Sequence, residues 1–485
     1  MRIAKVFVLS GVAGAAIALS GCAAGNIPGA NAPITSQEAQ QGAEFHPQLL
    51  QEFGGTFTGS QAAYVEQVGK NIAVQSGLGD ARSSFTVSLL NSPVNNAFAV
   101  PGGYVYTTRQ LVSLMNNEAE LAGVLGHEVG HVAARHSQRR QQASQRNQLL
   151  GVLGQVLGSV VGGDVGGLLQ QGSQYTQLLT LRFSRSQEIE ADELGIQYLT
   201  RAGYDPTAMA TVLQSLAAQN ALDAQLQGRD NATIPEWAST HPDPASRVQT
   251  AAAKARGVTG TLNRDTFLTR IDGLLYGDDP KQGVIEGQQF LHPDLRLAFT
   301  VPNGYYMVNG TTAVSINGQS GKGQFSTGAY NGNLENYVRQ VFAKVGGQQN
   351  IAPASLQRTT VNGLPALYGT ARVNNGQSQV DVTVFAYEFS NTSAYHFTTI
   401  SQAGQSRTFT PMFNSVRRIS SSEASAIIPR RIDVVTVGRG DTIQSLANRM
   451  AYDRGKVERF RVLNALGTND QLQAGQKVKL VVRAS

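Results

Sequence analysis

Residues 121–136 read LAGVLGHEVGHVAARH and predict an apolar helix that carries a metal-binding motif. Positions four apart in a helix differ by only about 40° around its axis, so His127 and His131 lie on one face and can reach one metal ion. Glu128 is rotated by one residue and can face a water molecule beside the metal, as a general base must. The spacing therefore predicts two metal ligands and one candidate base.

The wider segment, residues 116–140, also supports a helix. Acidic residues favour its first turns, and an apolar stripe runs along one side. Its glycines argue mildly against a helix, because each costs about 1 kcal/mol relative to alanine. We therefore infer that close packing or an approaching ligand requires the small size of Gly123, Gly126 and Gly130.

The motif needs a third ligand, because short motifs arise by chance in chains of this length. A metzincin would carry a glycine and a histidine where this chain has Ala134 and Ser137, so that subclass is excluded. His136 is rotated by about 140° from His131 around the helix. We therefore predict that His136 is a packed or surface histidine and not a ligand.

A second predicted helix begins near residue 184 and ends near Gly203. Glu188 and Asp192 share one of its faces. Glu188 can therefore supply the third ligand, while Asp192 can hydrogen-bond the outer nitrogen of a ligand histidine. Glu190 points elsewhere. A solvated acidic helix face is the alternative interpretation of this cluster.

Three blocks resemble the HtpX and CAAX prenyl protease type of zinc metallopeptidase, peptidase family 48, in its periplasmic lipoprotein branch. They are residues 96–103 (NAFAVPGG), 126–136 and 188–192 (EIEAD). The resemblance covers about residues 40–256 and implies a mainly helical zincin core of the gluzincin type, with one Zn²⁺ per chain. It also implies that His127, His131 and Glu188 bind the zinc, and that Glu190 does not.

Residues 96–106 contain two β-prone runs around a Pro-Gly-Gly turn and predict a β-hairpin. By the resemblance, the first strand lies on the substrate side of the site. Extended or unfolded segments could then bind by β-augmentation, with loose sequence specificity. The substrate-binding positions that this implies are Asn96, Ala97, Phe98 and Ala99.

Residues 239–247 (STHPDPASR) resemble the His-Pro element that follows the catalytic helices of this family. The resemblance places His241 beside the metal, where it either donates a hydrogen bond to the developing oxyanion or caps the open zinc position. Arg247 would pair with Asp192. Glu128 and His241 are thus the predicted catalytic residues, with zinc polarising the scissile carbonyl and Glu128 moving a proton from water to the leaving amine. A plain loop position is the alternative for His241.

Residues 1–21 have the form of an export signal, with a positive start and an apolar stretch too short to span a bilayer. The signal and the next residue end in LSGC, which resembles the bacterial lipobox and implies lipidation of Cys22, the only cysteine. Ala23 is compatible with transfer to the outer membrane. We expect residues 22–35 to be a tether that holds the protein on the periplasmic side of the envelope.

Residues 149–171 are apolar but are interrupted by glycines and by Asp164, so a transmembrane helix is not expected. The segment lies between the zinc helix and the third ligand in sequence. We interpret it as a mobile cover over the site, with a plain flexible loop as the alternative.

A chain of 485 residues exceeds the size of one core, and the pattern predicts an α+β multidomain fold. Residues 36–256 form the predicted peptidase domain, and residues 257–290 a polar linker. Apolar and polar residues alternate over residues 295–301, 366–373, 380–389 and 394–400 and predict strands, and residues 334–345 predict a helix, so residues 291–419 are expected to form an α+β domain. That domain loosely resembles PsbP-like folds, and no function is assigned to it.

A second linker, residues 420–431, leads to a module with the order strand, helix, helix, strand over residues 432–482. The stretch GDTI at residues 440–443 and the later Asn464 resemble a LysM domain. The resemblance implies binding to N-acetylglucosamine-containing glycans, and hence to peptidoglycan. A small structural cap without glycan affinity is the alternative.

The net charge of +6 is modest, and the sequence contains no dense basic stripe with interleaved aromatic residues. Nucleic acid is therefore not an expected partner. The leading functional hypothesis is a protease that acts on misfolded or unassembled envelope proteins. The alternatives are a non-proteolytic chaperone or scaffold that links membrane and peptidoglycan, and a peptidoglycan peptidase. Glu128 favours the enzyme, because a scaffold has no use for a general base.

Overall fold

The computed structural model describes residues 32–78, 81–140, 183–226, 241, 244–346, 351–374 and 379–484. The predicted signal peptide with Cys22 and the predicted cover at residues 149–171 lie outside this part of the chain. Among the described residues, no helix is both long enough and apolar enough to cross a bilayer.

The N-terminal half is mainly helical and contains one small sheet. Its helices are α1 (Ser36–Glu52), α2 (Ser60–Ala73), α3 (Ala81–Ser84), α4 (Arg109–Leu114), α5 (Glu118–Ala133), α6 (Arg185–Arg201), α7 (Ala208–Leu226) and α8 (Pro244–Lys254). Its strands are β1 (Thr86–Leu90), β2 (Ala97–Val100) and β3 (Tyr104–Thr108). Strand β2 pairs antiparallel with β3, which confirms the predicted hairpin, and the order β1-β3-β2 leaves β2 at an edge.

Helix α5 lies in the middle of the N-terminal core, against α2, α6 and α7. Residues 119–131 of this helix are all buried. A Cβ atom at Gly130 would lie 3.0 Å from the carbonyl oxygen of Ala191 on α6, whereas a Cβ atom at Gly123 would meet nothing closer than 3.5 Å. The close packing that we inferred from the glycines therefore holds for Gly130 and not for Gly123.

The helix that the sequence predicted over residues 116–140 is interrupted. Helix α5 ends at Ala133, Arg135 adopts the left-handed backbone conformation with φ of 53°, and residues 136–140 are helical again. The guanidinium of Arg135 donates hydrogen bonds to the carbonyl oxygens of Ala32 at 2.8 Å and Pro33 at 3.0 Å. Residues 32–35 are therefore held by the fold, contrary to the prediction of a tether, while residues 22–31 lie outside the described part.

The middle of the chain has the α+β architecture that the sequence predicted. Helix α10 (Leu334–Gly346) packs against an antiparallel sheet of order β11-β12-β13-β14-β10-β9-β8, and the short helix α11 (Thr410–Phe413) follows the sheet in sequence. The strands of this sheet are β8 (Tyr305–Asn309), β9 (Ala313–Gly318), β10 (Gly321–Thr327), β11 (Leu356–Val361), β12 (Leu364–Asn374), β13 (Gln379–Ser390) and β14 (Ser393–Gln402).

Residues 257–290 do not form a simple linker. They contain helix α9 (Arg264–Ile271), strands β4 (Leu275–Tyr276) and β5 (Val284–Glu286), and the start of β6 (Gln289–His292). Strands β5 and β6 belong to a sheet with β7 (Leu297–Thr300) and β15 (Arg417–Arg418). Apolar side chains of α9 are fully buried in the N-terminal core, so hydrophobic burial holds this segment in place.

The C-terminal module has the predicted order of elements: β16 (Arg430–Thr436), α13 (Ile443–Asn448), α14 (Lys456–Leu463) and β17 (Lys477–Arg483). The second predicted linker includes the short helix α12 (Ser421–Ser425) and the first residues of β16. Thr442 begins α13, because its hydroxyl accepts a hydrogen bond from the Ser445 amide. Strand β16 pairs with both β17 and β4, which extends the module's sheet into the preceding segment.

Candidate metal centre

Helix α5 holds the histidine motif in the interior of the N-terminal core. Asn117 begins the helix, because its side-chain oxygen accepts a hydrogen bond from the Glu120 amide at 2.9 Å. The exposed fractions of His127, Glu128 and His131 are 3%, 1% and 4%. Titratable side chains this deeply buried need partners, and the neighbouring elements supply them.

Helix α6 brings the predicted third ligand to the same place. Ser184 and Gln187 form a capping box that starts the helix. Glu188, in its first turn, is completely buried. Its carboxylate oxygens lie 3.6 Å from Nε2 of His127 and 3.6 Å from Nε2 of His131.

The structure also brings His241 into this group. Ligand atoms of His127, His131, Glu188 and His241 all lie within 4.8 Å of one another. Nδ1 of His241 lies 3.2 Å from Nε2 of His127 and 3.1 Å from Oε2 of Glu188. Nε2 of His241 lies 3.6 Å from Oε1 of Glu128, so the two predicted catalytic residues face each other.

A second layer of charged groups surrounds the cluster, as the sequence predicted. Asp192 Oδ1 lies 2.9 Å from Nδ1 of His127. Arg247 donates two hydrogen bonds to the Asp192 carboxylate, at 2.7 and 2.6 Å, and its third nitrogen lies 2.6 Å from Oε2 of Glu188. Bidentate pairing of this kind fixes the orientation of a carboxylate, and here it orients His127 in turn.

His131 has supporting contacts that the sequence did not reveal. Nδ1 of His136 lies 2.9 Å from Nδ1 of His131, and Nε2 of His136 lies 3.1 Å from Oε2 of Glu190. Phe183 stacks on the His131 ring with a centroid separation of 4.0 Å. His136 is packed, as predicted. The predicted rotation of 140° from His131 does not apply, however, because the helix is broken at Arg135. The resemblance block contained His136, and that was the only signal in the sequence.

Burial and charge set the protonation of the cluster. Burial, followed by the charges of neighbouring histidines, holds the pKa of His131 well below its usual range. Burial alone would raise the pKa of Glu188, but His241, His127 and Arg247 lower it below its ordinary value. Neutral imidazole and ionised carboxylate are the forms that bind a divalent cation. Burial raises the pKa of Glu128, although the two nearby imidazoles oppose the rise.

The donor set fits zinc, which is bound in proteins by imidazole nitrogens and carboxylate oxygens in four-coordinate sites. Glu128 provides a second test of the fit. Its Oε1 atom is buried and makes no hydrogen bond to any described group. A buried carboxylate oxygen without a partner is unfavourable unless water or a ligand approaches it, as the base of a zinc site requires.

The predicted substrate strand lies beside α5. Ala99 and Val100 at the end of β2 line a cavity of about 20 Å³ together with His131. The Phe98 ring instead packs against Phe53 and Tyr106, with centroid separations of 4.9 and 4.8 Å. Of the predicted substrate positions, Asn96 and Ala97 are also buried, so β2 can offer mainly its backbone edge to a substrate.

Two family models match the chain. Residues 59–255 match Peptidase family M48, and residues 435–481 match the LysM domain. The chain is 36% identical over 196 residues to the beta-barrel assembly-enhancing protease of Yersinia pestis, and 35% identical over 196 residues to that of Escherichia coli. It is 29% identical over 215 residues to the mitochondrial metalloendopeptidase OMA1 of Schizosaccharomyces pombe.

These similarities cover part of each protein. The match to each bacterial relative spans 40% of this chain and 38% of the relative. The match to the yeast relative spans 44% of this chain and 59% of that protein. The chain therefore aligns with less than two thirds of the length of the relatives it matches.

Proposed function

We propose that this chain, which carries a peptidase family M48 domain and a LysM domain, is a zinc-dependent endopeptidase of the cell envelope. The observation that carries the proposal is the buried Oε1 of Glu128, which makes no hydrogen bond to any described group and lies beside a cluster of three histidines and Glu188. A base without a partner next to a donor set for zinc has the arrangement that peptide hydrolysis requires.

In the proposed mechanism, zinc when bound supplies a Lewis acid that polarises the scissile carbonyl and makes water acidic near neutral pH. His127, His131 and Glu188 would hold it. Glu128 takes the proton of the attacking water and returns it to the leaving amine nitrogen.

His241 has two possible roles in this scheme, and the geometry favours one of them for the arrangement seen here. Its Nδ1 atom points to Glu188 and His127 rather than away from them. This orientation supports the role of a fourth ligand that caps the site in a resting state. The hydrogen bond to the oxyanion would then require His241 to turn away from the ligand cluster.

We further propose that the substrates are extended segments of misfolded or unassembled envelope proteins. Two observations support this. Strand β2 lies at the edge of its sheet among the described strands, where an extended backbone could pair with it without reading most side chains. The bacterial relatives are named for enhancing β-barrel assembly. Lipidation of Cys22 and binding of the LysM domain to peptidoglycan would keep the chain there.

The test is cleavage of casein by the purified full chain in detergent, with zinc content measured on the same samples. Glu128→Gln should lower the rate by about 10²- to 10⁴-fold and leave the zinc content unchanged. Glu193→Gln is the matched control, because Glu193 lies on α6, is partly exposed and pairs with Lys254 at 2.8 Å. It should not change either measurement. Undiminished cleavage by Glu128→Gln would refute the general base, and inactive wild type that contains zinc would favour the chaperone or scaffold.

A further inference from the structure

The LysM domain is joined to the peptidase domain by backbone pairing. Strand β4 extends the LysM sheet by pairing with β16, and outside the strands the Gly273 amide donates to the Ile432 carbonyl at 2.9 Å. The Ile432 amide donates to the Leu274 carbonyl, also at 2.9 Å. The segment that provides these groups is itself anchored by α9 in the N-terminal core. The sheet of the LysM domain is thus completed by β4, a strand that lies outside the domain in sequence.

The two domains also share one hydrophobic core. Leu446, Phe460 and Leu480 of the LysM domain belong to the same buried cluster as side chains of α5, α7 and α9. Helix α14 of the LysM domain packs against α7. Because burial of apolar surface is the main stabilising contribution in folding, separating the two domains would expose a part of the core of each.

Lys479 makes the most specific contact between the domains. This residue of β17 is completely buried. Its ammonium group donates to the carbonyl oxygens of Ser113, Leu114 and Met115 at 2.8, 3.2 and 2.5 Å. These carbonyls stand at the C-terminal end of α4, where a cation is favourable. Asn117, which begins the metal-binding helix α5, follows two residues later.

A buried carboxylate of α5 interacts electrostatically with Lys479. Glu120, in the first turn of α5, is 2% exposed and accepts hydrogen bonds from the Asn116 amide at 2.6 Å and the Thr211 hydroxyl at 2.7 Å. Burial lowers the pKa of Lys479 and raises that of Glu120, and each charge opposes the shift of the other. Removing the Lys479 ammonium would leave the carbonyl groups of residues 113–115 without their buried donor and would take away one charge that favours the ionised form of Glu120.

We propose that the LysM domain is an integral part of the peptidase fold, because Lys479 links it to the start of the metal-binding helix. The two domains then unfold together as one cooperative unit. The loops of the LysM domain then keep a fixed orientation to the metal centre. A glycan held by those loops would fix the position of the metal centre relative to the wall. The inference stands apart from the proposed proteolysis, since its test reads amide exchange and not activity.

The test is native-state hydrogen exchange of the full chain in detergent, with increasing denaturant and peptides that cover residues 118–133 and 430–483. In the wild type, the free energies of opening measured for the most protected amides of both segments should converge to one value as the denaturant concentration rises. Lys479→Met keeps the apolar stem and removes the charge. It should speed exchange in both segments by about tenfold or more.

Lys477→Met is the matched control on the same strand. The Lys477 ammonium donates to the Thr269 hydroxyl at 2.7 Å in an exposed position, so its loss should change exchange by less than about threefold. If Lys479→Met does not fold, Asp272→Ala offers a milder change, because Asp272 accepts a hydrogen bond from the Val434 amide at 2.9 Å on the exposed rim. Faster exchange confined to residues 430–483, in the wild type under denaturant or in either variant, would overturn the proposal.

Discussion

Nδ1 of His136 lies 2.9 Å from Nδ1 of the predicted metal ligand His131. His136 is held from its other side by Glu190, and Glu190 also pairs with Arg139 at 2.9 Å. His127 is supported in a parallel way by Asp192 and Arg247. His127 therefore contacts a carboxylate that is paired with an arginine, and His131 is linked to another such carboxylate through His136. Such outer partners set the tautomer and ring orientation of a ligand.

We expect His136→Phe to weaken zinc binding by about 10- to 100-fold, because His131 loses the group that orients it. The measurement is competition with a chelator of known affinity, on protein that remains folded by circular dichroism. His46→Phe is the control, since His46 contacts Tyr106 at 2.8 Å and none of the ligands. Equal zinc affinity in the His136 and His46 variants would contradict the support assigned to His136.

Two glycines of α5 should respond in opposite ways to alanine. Gly130→Ala places a Cβ 3.0 Å from the Ala191 carbonyl oxygen, so we expect a loss of about 1 to 3 kcal/mol in the free energy of unfolding and a drop in activity. Gly123→Ala meets nothing within 3.5 Å and should be neutral or stabilising by up to about 1 kcal/mol, because alanine favours the helix. Denaturant titration measures both, and equal destabilisation would argue against close crossing of α5 and α6.

Acid should weaken the middle domain through Asp381. Hydrogen bonds from Arg372 hold the pKa of Asp381 below its usual value, although burial opposes them. A carboxyl whose pKa is lower in the folded state contributes stability above its unfolded pKa of about 3.9, and the contribution is lost as the pH falls through the folded pKa.

Asp381→Asn should therefore cost less than about 1 kcal/mol at neutral pH, since Arg372 is largely exposed. The difference from wild type should shrink as the pH falls below about 4. Thermal unfolding followed across this range is the measurement. A difference that grows towards low pH would contradict the assigned sign.

Glycan binding should slow amide exchange in the metal-binding helix, if the LysM domain binds N-acetylglucosamine oligomers and unfolds together with the peptidase domain. At a free oligomer concentration of 100 times Kd, exchange of the most protected amides in residues 118–133 should slow by about 100-fold. If the middle domain unfolds separately, the same oligomer should not slow the exchange of its most protected amides. Slowing only at residues 430–483 would show that the ligand acts on the LysM domain alone.

Lipidation of Cys22 is a prediction from the sequence that lies outside the described residues. We expect Cys22→Ser to move the chain from the membrane fraction to the soluble fraction, because the acyl chains that lipidation would add at Cys22 would supply most of the membrane affinity. Fractionation followed by mass spectrometry of the N-terminal peptide checks this. Unchanged membrane association of the variant would mean that something other than Cys22 anchors the protein.

Local patterns in the sequence determined much of this protein. The four-residue spacing of His127 and His131 sets a common face, because helix geometry is the same wherever a helix forms. Alternation of apolar and polar residues predicted β12, β13 and β14, and the turn residues predicted the β2–β3 hairpin. The order of elements in the LysM domain also followed from its own sequence. All of these features depend on residues close together in the chain.

Tertiary structure decided the rest, because its contacts join residues far apart in sequence. No local pattern shows that Lys479 reaches the carbonyls of residues 113–115, since the partners are more than 360 positions away. The partnership of His136 with His131 depends on the chain leaving its helix at Arg135, in a backbone conformation that non-glycine residues rarely adopt. Burial and hydrogen bonding in the folded core hold that conformation, and a single sequence carries no local signal for them.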